Sequence, residues 1–463
     1  MLLFYLAKDS YFLLNLRIQN ANLGGTFNKY ISILMYWKIV KNYLFNWLNK
    51  HKPNKMKLIK NIFKVHYFVI PVLFFVVQGC GTSSTTDPTP QADKYLVSST
   101  LIGEYNKASL QSRADGISGG NINPTLTLFV NSLLKYDIKA YKIVYKTINT
   151  DGTEIQASGA LIIPSVNGEA IPMISQQHGT IRTEAQAPSN YQSNSEAYSI
   201  ASIFGSNGYI IACPDYIGYG ASKTIQHPYE HRESLAQASL DMIRASAEFI
   251  AKEKINWNKK LMITGYSQGG FATMSLQKKI EEQFPTEFNL VASSCGAGAY
   301  NKTQFMKDLF NNTTHGIAEY NQLYIWIIQT YNRVYGLNRL INAYFKEPYA
   351  TDVEANGNKA TINVSFNLAI NDAFKKAIND GTDNKFLDAV KDNDVFDWAP
   401  KTETQLYHGD ADQQVFYSNS VMAEKAMKAK GGKVTLFTTK GGTHGSTLTD
   451  YALGTFSFFS GKK

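Results

Sequence analysis

Residues 261–275 read Leu-Met-Ile-Thr-Gly-Tyr-Ser-Gln-Gly-Gly-Phe-Ala-Thr-Met-Ser. An apolar, strand-like run at 261–264 enters Gly265-Tyr266-Ser267-Gln268-Gly269, and a helix-compatible run leaves it over 270–283. A G-x-S-x-G pattern alone arises by chance in about one chain in seven of this length. A strand before it and a helix after it give the pattern its meaning, because that setting presents the serine on a sharp turn at the carboxyl edge of a sheet. The glycines suit a turn so tight that a Cβ would strike the neighbouring backbone. Ser267 is therefore a candidate nucleophile.

Outward from this turn the chain alternates strand with helix. Stretches 138–147 and 153–163 flank Asn149-Thr150-Asp151-Gly152, a hairpin signal. Strands are expected at 170–175, 209–213, 290–294, 405–407 and 433–438, and helices at 195–207, 233–254, 418–429 and 447–459. The 233–254 stretch carries Leu235, Ala238, Met242, Ala245, Phe249 and Ile250, close to a helical period. Residues 98–135 read as a helical approach segment. The expected fold is α/β, a mainly parallel, eight-stranded-type sheet with helices on both faces. More than a hundred residues separate the strand ending near Cys295 from that at 405, far beyond a normal connection. They hold aromatic, helix-like stretches, with Tyr320, Tyr324, Trp326, Tyr331, Tyr335 and Tyr344 in the first, and read as an inserted helical lid at 300–399.

A serine needs a base within hydrogen-bond reach to act as a nucleophile. Tyr407-His408-Gly409-Asp410-Ala411-Asp412-Gln-Gln-Val415 follows one late strand, and Lys440-Gly-Gly-Thr443-His444-Gly445 follows the last. The ensemble resembles the α/β-hydrolase superfamily, in which the order is serine, acid, histidine. Asp412 fits the H-G-x-x-D-x-x-V element of many such enzymes, with Asp410 as its competitor, and His444 is the natural base. The resemblance implies an oxyanion hole from two backbone N–H groups. One belongs to Gln268; the other belongs to Thr180, since His178-Gly179-Thr180 is similar to the H-G-G-type loops of esterases. The stretches Asp215-Tyr-Ile-Gly-Tyr-Gly-Ala-Ser222, His227-Pro-Tyr229 and Gly265–Gly270 are similar to those of the secreted lipase/esterase branch. Within them Asp215, His227 and Tyr229, like His178, read as packing and turn residues.

The net charge of +9 is not spread along the chain. Residues 1–80 hold eleven Lys and Arg against Asp9 alone, leaving 35 basic and 36 acidic residues in 81–463. The near-neutral body excludes a nucleic-acid footprint. From Met56 the leader has a cationic start, an apolar run and Val77-Gln78-Gly79-Cys80, which resembles a bacterial lipobox with Cys80 as the lipidated residue. The apolar run at 66–79 is short for a membrane span. Residues 1–55 read as an upstream extension outside the true start, 56–80 as a lipoprotein signal, and 81–97 as a polar linker. The hydrolase core then occupies 98–299 and 400–463, tethered through lipid to the cell envelope. Cys213 and Cys295 read as buried free thiols, not a disulfide framework. No metal-ligand or phosphate-loop motif occurs, so neither metal nor cofactor is expected.

These readings imply cleavage of a small-molecule or lipid carboxylic ester through an acyl-enzyme, with the lid setting acyl length. Two rivals stand beside it. A prolyl-type exopeptidase uses the same fold and would need a carboxylate for the substrate amine, for which Glu319 and Glu347 are candidates. A non-catalytic binding protein on a hydrolase fold would not need an intact triad.

Overall fold

The computed structural model describes residues 93–117 and 130–463. The expected signal segment and Cys80 lie outside the described residues. Among those described, no helix is long and apolar enough to cross a membrane.

Strand β1 (Leu96–Tyr105) and helix α1 (Lys107–Ile117) precede a long hairpin of β2 (Ile138–Ile148) and β3 (Glu154–Pro164). Next come β4 (Ile171–Gln177), a π-helical turn (Ala197–Ala201) running into the short α2 (Ser202–Ser206), and β5 (Ile210–Pro214). Helix α3 (Arg232–Lys252), β6 (Trp257–Tyr266), α4 (Gln268–Gln283) and β7 (Asn289–Gly296) follow. Then come α5 (Lys302–Asn311), α6 (Ala318–Val334), α7 (Tyr349–Asn356), α8 (Phe366–Ala369), α9 (Asp372–Asn379) and α10 (Asn384–Asp392). The chain closes with β8 (Thr404–Gly409), α11 (Ser418–Ala429), β9 (Val434–Thr439) and α12 (Leu448–Ser460).

The strands form one sheet in the order β1-β2-β3-β5-β4-β6-β7-β8-β9. The first four in that order pair antiparallel, and every pair from β5 to β9 is parallel. Alternation along each strand sorts side chains between two apolar layers. Ile210 and Ala212 of β5 pack with Leu240 and Phe249 of α3 and Leu276 of α4. Ile211 and Cys213 face the other way, toward Leu110 of α1, Ala201 of the π turn and Phe459 of α12. A sheet covered on both faces needs apolar residues at successive positions, which is why β4 and β5 are buried along their whole length.

The approach segment differs from its helical expectation. Its first part is strand β1, paired antiparallel with β2 from Leu96 opposite Tyr145 to Tyr105 opposite Ile138, and only the part after it is helix. Among the described residues this makes nine strands, where an eight-stranded type was expected. As an edge strand exposed along most of its length, β1 lacks the apolar alternation that marks a strand. The helix expected at 195–207 begins as a π turn. Cys213 and Cys295 are free and buried.

The six helices between β7 and β8 share an apolar core, which also takes in Tyr229, Ala299 and Val415. It includes Phe310, Tyr324, Ile328, Tyr331, Tyr344, Phe366, Phe374 and Phe386, all buried. Many of these rings meet edge to face: Tyr344 and Phe386 each pack against Phe374 with centroids 5.0 Å apart. Helix α6 is tied to two loops at the sheet's carboxyl edge. Arg182 donates to Gln322 Oε1 (3.0 Å) and to the Glu319 carbonyl (3.1 Å), and the Tyr324 hydroxyl donates to the Gln414 carbonyl (2.7 Å).

Candidate active site

β6 lies between β4 and β7, with Gly265 opposite Gln177 on one side and Cys295 on the other. The next turn places Ser267 at φ 60° and ψ −122°. This is a sparsely populated conformation for a residue with a Cβ, costing on the order of 1–3 kcal/mol. It persists because the backbone around it is fixed. A Cβ on Gly265 or Gly269 would fall on the Gln177 carbonyl oxygen, and one on Gly270 would fall on that of Gly296. The side chain that results stands at the N-terminus of α4.

His444, on the loop after β9, brings Nε2 to 2.9 Å from Ser267 Oγ. Its Nδ1 lies 2.6 Å from Asp412 Oδ2, on the loop after β8. A carboxylate only accepts, so Nδ1 carries the proton in the neutral ring and Nε2 is free to accept from the serine. Asp412 Oδ1 accepts from the N–H groups of Gln414 (2.8 Å) and Val415 (3.0 Å). Burial alone would raise the Asp412 carboxyl, but hydrogen bonds from His408 and His444 hold it well below the usual carboxylate range. Asp410 points elsewhere: its Oδ1 accepts from Gly441 N–H in an exposed turn.

Thr180 sits on the loop after β4, and that loop runs against the serine: a Cβ built on Gly179 would lie 3.9 Å from Ser267 Cβ. Gly179 N–H is occupied by Glu196 Oε1 at 2.9 Å. The Thr180 hydroxyl meets that of Tyr229 at 2.7 Å. The Gln268 N–H is the first of helix α4, and its side chain donates to His227 Nε2 at 2.9 Å. Burial pushes His227 down to about 3, so it is a neutral acceptor here, with Nδ1–H donating to the Ile217 carbonyl. Asp215 is buried beneath the site, accepting from the Ser158 hydroxyl and Ser189 N–H. His178 contacts the carbonyls of Gly179 and Asp215. All these residues brace loops.

Three neighbours escaped the reading of the sequence. His408 Nε2 faces only acceptors, the Val415 carbonyl (2.8 Å) and Asp412 Oδ2 (3.2 Å), so it donates to both. Its place two residues from the Asp410–Asp412 pair was the available signal. The Tyr266 hydroxyl, inside the G-x-S-x-G turn, donates to the His444 carbonyl at 2.6 Å. Glu196, which also accepts from Gln176 Nε2 at 3.0 Å, comes from a polar stretch with no motif around it.

A cavity of 320 Å³ opens at Ser267 and His444. None of its lining residues comes from 300–399. Glu319 and Glu347, the carboxylates considered for binding an amine, do not line it either; Glu347 accepts from Thr351. Among the described residues no group of three or more His, Cys, Asp or Glu could hold a metal ion.

The sequence profile described as "Secretory lipase" matches residues 183–451, a span that includes Ser267, Asp412 and His444. The chain belongs to the secretory lipase family. Family membership makes it an enzyme of the lipase and esterase kind. A search of curated proteins gives no match. Several solved structures share the secretory lipase's fold. A candidate hydrolase from Legionella pneumophila aligns with TM-score 0.69 and 22% identity over 79% of this chain and 98% of its own. The rice cell wall degrading esterase LipA from Xanthomonas oryzae gives 0.63 and 24% over 77% and 94%. Candida antarctica lipase A gives 0.53 and 14% over 76% and 78%.

Proposed function

We propose that this secretory lipase cleaves carboxylic esters by acyl transfer to Ser267, with His444 as general base and Asp412 as its orienting acid. The observation that carries the reading is His444, which spans Ser267 Oγ at 2.9 Å and Asp412 Oδ2 at 2.6 Å. His444 Nε2 takes the serine proton as Oγ attacks the ester carbonyl. The N–H groups of Thr180 and Gln268 stabilise the oxyanion. The C–O bond to the leaving alcohol breaks, and the His444 proton passes to its oxygen. Water then gives a proton to His444 and attacks the acyl-enzyme; the bond to Ser267 Oγ breaks, the His444 proton returns to Oγ, and the acid leaves. Asp412 stays ionised throughout.

Ester is favoured over peptide because the carboxylates proposed for amine binding stand away from the cavity. A fluorophosphonate should label the wild type and leave Ser267→Ala unlabelled, while hydrolysis of p-nitrophenyl esters falls on the order of 10⁵–10⁶-fold in kcat. Labelling of Ser267→Ala, or proline p-nitroanilide turnover exceeding that of esters, would overturn the assignment.

The same reading extends to the rest of the chain: a core that begins with β1 at Leu96, two residues before the expected 98, and runs over 96–299 and 400–463, a cap of 300–399, and a lipid anchor on Cys80 that holds the enzyme at the bacterial cell envelope. Support for the anchor is the leader sequence, with its cationic start, apolar run and Val-Gln-Gly-Cys80. Mass spectrometry of the mature N-terminus should find a diacylated Cys80; an unmodified N-terminus at another residue would sink it.

A further inference from the structure

The two residues assigned to the oxyanion hole are both held, through their side chains, by one short stretch at 226–230, just before α3. Gln268 donates from Nε2 to His227 Nε2 at 2.9 Å, and the Thr180 hydroxyl meets that of Tyr229 at 2.7 Å. One piece of backbone therefore fixes the two donors relative to each other. At Thr180 the bond completes a set. The Gly179 carbonyl engages His178 Nδ1 at 2.7 Å, and a planar peptide then sets the direction of the Thr180 N–H on its opposite edge. Tyr229 is the only hydrogen-bond partner of the Thr180 side chain among the described residues. A phenol is more acidic than an alkanol, so Tyr229 donates.

This stretch is in turn seated on the helices between β7 and β8. Trp326 of α6 lies flat on the buried Tyr229 ring, with centroids 4.3 Å apart and planes at 9°, and meets the His227 ring at 5.6 Å and 70°. Further along α6, the Tyr331 hydroxyl donates to the Glu230 carbonyl at 3.2 Å, and Arg333 Nη2 donates to the His227 carbonyl at 3.2 Å. The Glu230 carboxylate pairs with Lys302 of α5, both of them buried. Glu230 itself holds φ at 54°, a left-handed conformation that a residue with a Cβ keeps only where its surroundings impose it. The shape of 226–230 is thus set from the cap side.

We infer that Tyr229 is a positioning residue for the oxyanion donor at Thr180, and that α6 of the cap fixes it through Trp326. The inference rests on the reading of Ser267 as the acylated residue with Thr180 and Gln268 as its oxyanion donors. On this account the cap acts on the chemical step from behind the oxyanion hole. Donors aimed in advance at developing charge stabilise it because they need not reorient. A looser Thr180 therefore costs rate in the transition state and leaves ground-state binding as it was.

The measurement is kcat and KM on p-nitrophenyl butyrate, together with Ki for an alkyl trifluoromethyl ketone, whose hemiketal oxygen occupies the oxyanion hole. Tyr229→Phe deletes one oxygen and keeps the stacked ring. Its kcat should fall about ten- to a hundredfold with KM within about threefold, and Ki should rise in step with the loss of kcat. Trp326→Ala should lose about tenfold in the same way, and Trp326→Phe, which keeps a ring on Tyr229, should recover to within about threefold of the wild type. Because the two residues act along one path, the Tyr229→Phe/Trp326→Ala double variant should be no more than about twofold slower than the worse single. A Tyr229→Phe enzyme whose kcat stays within about threefold of the wild type overturns the inference. Losses that multiply in the double variant overturn it too, because the cap would then act elsewhere. Should Trp326→Ala fail to fold, Tyr331→Phe replaces it: kcat should fall at least about threefold at constant KM, and an unmoved kcat removes α6 from the account. A wild type that cleaves esters and takes a fluorophosphonate, matched by Tyr229→Phe, defeats this inference alone. A wild type that does neither defeats the Ser267 reading and this one together.

Discussion

The cap at 300–399 and the layer beneath β4–β6 use apolar residues to opposite ends. In the cap, Tyr324, Tyr331, Tyr344, Phe366, Phe374 and Phe386 are buried against one another, so the aromatic runs are its core. In the layer beneath the sheet, Ile174 and Ile211 pack together with Phe204 against them, and with Ile200 and Ala452 they line a cavity that also reaches Ser267. An abundance of aromatic side chains marks the place that fills itself. The cavity lies where aliphatic and polar side chains adjoin a π-helical turn.

Four substitutions sharpen or break that contrast, beginning with the largest effect. Asp412→Asn would reverse the tautomer demanded of His444 and should lower kcat on esters by about 10³–10⁴-fold, whereas Asp410→Asn should leave it within about threefold. Equal losses would mean that the acid has been misassigned. The same aspartate has a pH signature. Because its folded value is depressed, its contribution to stability is fully present above the unfolded carboxylate value near 3.9 and is lost as pH falls through the lower folded value. The acid limb of an unfolding titration should therefore be shallower in Asp412→Asn.

Next, Phe386→Ala empties a fully buried site in the cap and should cost about 3–5 kcal/mol in urea denaturation. Its chain-length profile on p-nitrophenyl esters should match the wild type. A changed profile would put the cap back among the walls of the binding space. The smallest effect is expected at the seam between the two regions. Arg182→Ala removes exposed hydrogen bonds to Gln322 and the Glu319 carbonyl and should cost no more than about 1 kcal/mol. Hydrogen exchange of α6 should rise in that variant; unchanged exchange would mean that Arg182 does not hold the cap.

What the sequence disclosed follows the range of the interactions involved. The Ser267 turn is local: its glycines, its incoming strand and its outgoing helix lie within one stretch, so it could be read directly. His444 was legible because it follows the last strand. The choice between Asp412 and Asp410 could not be made from order alone, since both lie on the same loop. It depends on which carboxylate the turn aims at the histidine, and Gly441 takes the other. Glu196 was illegible because its partner, Gly179 N–H, is reached only through the fold. Strand β1 was misread because an exposed edge strand needs no apolar alternation. The insertion shows a related limit: composition shows that residues are apolar, and only packing shows whether they meet.

The backbone at Ser267 has a consequence for how such an enzyme decays. Its φ of 60° strains any residue with a Cβ and is open to glycine. Ser267→Gly should thus be more stable than Ser267→Ala while being just as inert. A population of these genes under selection for stability alone would drift downhill toward the dead enzyme. Under the proposed acylation of Ser267, continued ester cleavage is the pressure that keeps a serine on that turn.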